Sequence, residues 1–184
     1  MKKIDQIIHR MGDSQLQMTA PQEEQTQALH KLLHKWQLWA HLPHDTDWSL
    51  KSYKSISSIE SVEEIIGLYD SIPDQVIKNC MLFLMLDGVN PTWEDPRNAK
   101  GGCFSYKISN NSVPDVWRKL SYTLVGESII GNKYNNNITG ITISPKKNFC
   151  IMKIWMSNCN NQDPTTINYF NGIDSRGCLF KKFA

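Results

Sequence analysis

The stretch Asp87-Gly88-Val89-Asn90-Pro91-Thr92-Trp93-Glu94-Asp95-Pro96-Arg97-Asn98-Ala99-Lys100-Gly101-Gly102 separates two apolar runs of different pattern. Before it, residues 80–86 are continuously apolar and read as a buried strand that stops at Asp87-Gly88. After it, residues 103–108 form a short strand with Phe104, Tyr106 and Ile108 on one side. The stretch itself is rich in Gly, Pro, Asn and Asp, so it reads as a loop between strands. Farther along, residues 138–144 alternate, with Ile141 and Ile143 opposite Thr142 and Ser144. Pro145-Lys146-Lys147-Asn148 makes a turn, and residues 149–156 complete a β-hairpin. A last strand is expected over 178–183.

Three helices are signalled. Ser61 caps the first, with Glu64 as the reciprocal partner of a capping box and Val62, Ile65, Ile66 and Tyr69 as its apolar stripe. Ser112 caps the second, with Pro114 and Asp115 in its first turn. Val113, Val116, Trp117, Leu120 and Leu124 form its buried side, and Arg118, Lys119 and Tyr122 the other. A third is expected from Asp163-Pro164, with Ile167 and Phe170 inward. Strands interleave with few helices, and no Gly-rich turn joins a strand to a helix. This order implies an α+β fold: an antiparallel sheet with about three helices on one face.

Residues 1–28 read as a tail, and the folded domain is expected over 29–184. Ile4, Ile7, Ile8 and Met11 have the spacing of a short amphipathic helix, and a Gln-rich linker follows over 15–27. No apolar run reaches the ~18 residues of a membrane span, and the start has no secretory h-region. Cys80, Cys103, Cys150, Cys159 and Cys178 lack CxxC spacing, which argues against a zinc site or a disulfide framework and fits a reducing cytosol. Every histidine lies at or before His44, so a histidine triad is confined to that segment. Charge is segregated: residues 1–95 hold 8 Lys/Arg and 14 Asp/Glu, residues 96–184 hold 12 and 4. The second half therefore suits an anionic ligand. Lys-, Asn- and Ile-rich composition points to an AT-rich genome.

Of the six tryptophans, Trp36, Trp39 and Trp117 suit a core. Trp48 and Trp93 sit among polar, turn-forming residues and are expected on loops, where an exposed indole signals recognition. With these in place, the stretch 87–102 resembles the central motif of the translation initiation factor 4E family, DG..P.WED..N..GG. Trp36-Gln37-Leu38-Trp39 resembles that family's first strand, and Trp48 its first cap-stacking Trp. Residues 62–69 resemble its first helix, Gly126-Glu127 the end of its second, and 140–155 align without a gap. The resemblance covers about residues 30–156.

The resemblance implies a curved sheet with helices on its convex face and the 7-methylguanosine cap of mRNA on the concave side. Trp48 and Trp93 would sandwich the methylated, cationic base, whose charge favours indole faces. Glu94 would accept from guanine N1–H and the 2-amino group, which adenine cannot offer. Trp155 would lie against the N7-methyl. For the triphosphate, family members place one basic residue before the hairpin turn and one after it. Lys146 matches the first, with Lys147 beside it, but Ile151 stands at the second. The family's Arg after Gly-Gly is Cys103 here. Ile151, Lys153 and Trp155 share a strand face, so Lys153 is the expected substitute.

On the partner-binding face, Val62 is retained. Ile66 replaces the family's Trp, and Arg118, Lys119 and Tyr122 replace Leu, Glu and Leu. A co-diverged factor 4G-like scaffold or a repressor is the expected protein partner, with acidic side chains facing Arg118 and Lys119. The expected protein is a cytoplasmic monomer without cofactor, metal or membrane attachment, its divergence suggesting a large DNA virus or a protist as source. It either recruits capped mRNA for translation initiation or competes for caps as a repressor. An enzyme acting on caps would need clustered metal-binding carboxylates, and neither Glu63-Glu64 nor Glu94-Asp95 supplies such a framework.

Overall fold

The computed structural model describes residues 28–131 and 136–183. Seven strands form one antiparallel sheet: β1 (Lys31–His41), β2 (Lys54–Ser61), β3 (Met81–Leu86), β4 (Gly102–Ser109), β5 (Ile138–Pro145), β6 (Phe149–Met156) and β7 (Leu179–Lys182). Their order across the sheet is β2-β1-β3-β5-β6-β4-β7. Among the described residues, three α-helices accompany them: α1 (Val62–Ser71), α2 (Asp74–Asn79) and α3 (Val113–Val125). The fold is thus the expected curved α+β sheet. Register shifts within the β1–β2 and β5–β6 pairs insert extra residues, a feature that bends strands.

Alternation sorts the two faces. Trp36, Leu38, Ala40, Leu82, Leu84, Phe104, Tyr106, Ile141, Ile143, Met152 and Ile154 point toward the helices and join the core with Ile65, Tyr69, Trp117 and Leu120. The opposite face carries a smaller cluster of Phe83, Met85, Val89 and Trp155, against which Trp39, Tyr53 and Phe183 pack. The helices are tied to one another as well as to the sheet. Buried Tyr69 donates its hydroxyl to Ser121 at 2.7 Å, joining α1 to α3.

The capping box of α1 forms as the sequence implies. Glu64 N–H donates to Ser61 Oγ at 3.2 Å, and Ser61 N–H donates to Glu64 Oε2 at 3.0 Å. The turn-and-hairpin reading of 138–156 also holds, and Lys146 N–H closes the turn on Phe149 O at 2.8 Å.

Two expectations need correction. Ser112 precedes α3, but its backbone is already helical and its side chain makes no capping bond. Asp163 starts only a single 3-10 turn, Pro164–Thr166. Ile167 leaves that turn to bridge Ile130, and Asn168, Asn171 and Gly172 are poor helix formers. Ile167 and Phe170 are nevertheless buried. The third helix is instead α2, too short for an apolar period to reveal. The tail helix expected around Ile4–Ile8 and Met11, and the linker 15–27, lie outside the described residues.

Candidate functional site: two exposed indoles on the helix-free face

The loop 87–102 is built by its own motif. Asp95 is buried and accepts from Asn90 N–H and Arg97 N–H, both at 2.9 Å. Asn98, fully buried, donates its amide to the carbonyls of Thr92 at 2.8 Å and Asn90 at 3.2 Å. These two side chains satisfy four backbone groups of the loop. Trp93 is left 51% exposed, and Glu94 is exposed beside it. Asp95 thus fills the role of turn-stabilising acid and leaves Glu94 free of it. The loop must then rejoin the sheet tightly. A Cβ on Gly101 would lie 1.7 Å from Met156 O, and one on Gly102 would lie 2.5 Å from Lys181 O. No other residue fits that entrance to β4 without displacing backbone.

Trp48 lies on the loop after β1 and is 56% exposed. Its indole stacks on buried His41, ring centroids 4.2 Å apart and planes 2° from parallel. His41 Nε2–H donates to Asp47 O at 2.8 Å, fixing the imidazole. Asp47 accepts from Ser49 N–H at 2.7 Å and from the Ser49 hydroxyl at 2.8 Å, bonds that hold its carboxyl below the usual range. Trp48 therefore has one face backed by a ring and the other open. His41 carries no motif of its own in the sequence, although alternation from Trp39 sets it on the helix-free face.

Tyr53 packs beside this stack. Its ring meets His41 edge-on at 5.1 Å and Phe83 at 5.3 Å. Burial raises the Tyr53 hydroxyl's pKa, and the nearby Glu94 carboxylate raises it further. Glu94 thus belongs to the same neighbourhood as the His41–Trp48 stack. Trp155 is buried in the floor of this face, tilted against Phe183 at 4.8 Å.

The basic residues extend away from that floor. Lys153 is half-buried and shares the face of Trp155, as alternation required. Lys146 and Lys147 are at the hairpin turn. Phe149, at that end of β6, is six residues from Trp155, roughly 20 Å along the strand. Cys103 is buried directly opposite Trp155, and Ile151 stands opposite Lys107.

Residues 31–170 match the family model described as eukaryotic initiation factor 4E. The chain belongs to the eukaryotic initiation factor 4E family. It is 31% identical to eukaryotic translation initiation factor 4E-2 of Schizosaccharomyces pombe, over 73% of this chain and 56% of that protein. Against eukaryotic translation initiation factor 4E of Candida albicans the figures are 28%, 79% and 73%. Against the human factor they are 24%, 74% and 65%. The chain thus spans little more than half the length of the S. pombe relative. Among solved structures, the C. elegans eIF4E-3 complex with the 4E-binding protein Mextli and a cap analogue superposes with a TM-score of 0.65. Its identity is 22%, and the match covers 72% of this chain and 76% of that one. Schistosome eIF4E complexed with m7GpppA and 4E-BP gives 0.66 at 17% identity, over 73% and 75%. Members of this family are cap-binding proteins, not enzymes.

The helical face differs from the sequence expectation in its charges. Val62, Ile66 and Tyr122 are exposed at 39%, 45% and 38%, an apolar patch on α1 and α3. Arg118, however, is already paired at the surface. Its guanidinium pairs with Asp74 of α2 at 2.7 Å. Lys119 rests its ammonium 5.5 Å from the Phe170 ring centroid. A partner therefore meets less free positive charge than the sequence suggests, because α2 was not foreseen as a source of an acid.

Proposed function

We propose that this chain binds the 7-methylguanosine cap of mRNA and serves translation initiation as one cap-binding domain over residues 29–184. The supporting observation is the contrast among its indoles. Trp48 and Trp93 are more than half exposed, whereas Trp36, Trp117 and Trp155 are buried. Exposing two indoles beside an acceptor-only carboxylate costs apolar burial and suits a flat, cationic base with donors on its edge. Trp48 and Trp93 stack on the two faces of the base, Glu94 reads its edge, and Trp155 supports the N7-methyl. Lys146, Lys147 and Lys153 receive the triphosphate. The protein acts as a cytoplasmic monomer.

Retention on immobilised 7-methyl-GTP tests these roles. Trp48→Ala and Trp93→Ala each lose one stacking face, about 1–3 kcal/mol. Glu94→Ala loses charge-assisted bonds of about 1.5–3 kcal/mol. Wild-type retention by all three folded variants would refute the assignment.

A second reading is a cap-binding competitor that does not engage the standard scaffold. It is favoured by Ile66 at the expected Trp position and by the Arg118–Asp74 pair beside the patch. A scaffold or repressor helix fits the patch of Val62, Ile66 and Tyr122 in either case, since a few anchors dominate such contacts.

A further inference from the structure

We infer that two phosphate-binding cations of this chain have moved sideways by one strand: Lys107 supplies the charge absent at Ile151, and Lys181 the charge absent at Cys103. The inference rests on the reading that this face receives a nucleoside triphosphate. The register carries it. Lys107 is the cross-strand partner of Ile151 in the β4–β6 pair. Lys181 is the cross-strand partner of Cys103 in the β4–β7 pair. Directly opposed residues share a face, so both lysines stand on the face of Trp155, which itself pairs with Cys103. Adjacent strands are about 4.8 Å apart, a displacement that a four-carbon lysine stem can cover.

Electrostatics makes the arrangement selective. β4, β5, β6 and β7 contain no Asp or Glu. None of Lys107, Lys153 and Lys181 is ion-paired to a described carboxylate. A cation at 151 would directly oppose Lys107, and one at 103 would directly oppose Lys181. Like charges in directly opposed positions destabilise a sheet. Each row of the sheet therefore tolerates one cation, and here it is the outer one. Phe149 supports Lys107, whose ammonium lies 4.5 Å from the ring centroid. With Lys153 between them, Lys107 and Lys181 bracket Ser105, the cross-strand partner of both Lys153 and Leu179.

Calorimetry on the full chain with 7-methyl-GTP, GTP, 7-methylguanosine and guanosine tests this. The variants are Lys107→Met, Lys181→Met and the exchange of Lys107→Ile with Ile151→Lys. Each Met variant should bind the triphosphates roughly ten- to hundredfold more weakly, as expected for one lost charge-assisted contact, and the nucleosides unchanged. The exchange should restore triphosphate affinity, which a merely structural lysine would not do. Unchanged triphosphate binding in both Met variants, or equal loss on nucleoside and triphosphate, overturns the inference. If the exchanged protein fails to fold, the Met variants decide alone. Equal wild-type affinity for 7-methyl-GTP and GTP sinks the cap reading instead, and the lysine effect is then read from GTP against guanosine. A wild-type chain that binds no triphosphate sinks both.

Discussion

His41 shows how one buried side chain can govern an exposed one. Stacked aromatic pairs contribute about 0.5–1.5 kcal/mol beyond area burial. Without the imidazole, Trp48 would lose its backing and sample other rotamers before a base arrives. His41→Ala should therefore weaken cap binding by about that amount, while His41→Phe keeps the stack and most of the affinity. Fluorescence titration of both variants checks this, and equal affinities would show that the stack is incidental. Residue-scale legibility was uneven. Trp48 and Trp93 stood out because their neighbours are polar. Asp95 and Asn98 did not, since their work is bonding to backbone groups of a loop whose path is set only on folding. Alternation from Trp39 puts His41 on the helix-free face, but its stacking under Trp48 depends on the path of the loop after β1.

Elements that announce themselves by local chemistry were readable: the Ser61–Glu64 box, the hairpin at Pro145-Lys146-Lys147-Asn148, and the apolar side of α3. Those decided by tertiary competition were not. The segment after Asp163 has a capping acid and a proline, yet Ile167 pairs with Ile130 and Gly172 adopts a positive φ of 97°. Helix α2 matters for the partner, because its Asp74 holds Arg118. A standard scaffold peptide should bind at least roughly tenfold more weakly here than to an ordinary family member, having lost an aromatic anchor at Ile66. Asp74→Ala frees Arg118 and should strengthen binding of an acidic peptide selectively. Calorimetry with neutral and acidic peptides tests both statements. Tight binding of the standard peptide by the unmodified chain would contradict the first, and no gain for the acidic peptide the second.

Across the whole molecule, one face of the sheet takes the helices and the other carries aromatic rings and lysines. The charge imbalance between the two halves of the sequence suits an anionic ligand, and strands β4–β7 contain no Asp or Glu that would oppose one. What the imbalance did not reveal is which lysines share a row, because strand register is a property of pairing and not of spacing. The central claim remains the recognition of a methylated base by Trp48 and Trp93. Cation–π attraction of up to ~2 kcal/mol per face would make the preference for 7-methyl-GTP over GTP approach roughly a thousandfold. Tryptophan-fluorescence titration of the full chain with the two nucleotides measures that ratio directly. A strong preference for the methylated form, lost in Trp48→Ala and Trp93→Ala, is the expected result; equal affinity for the two nucleotides would contradict the account.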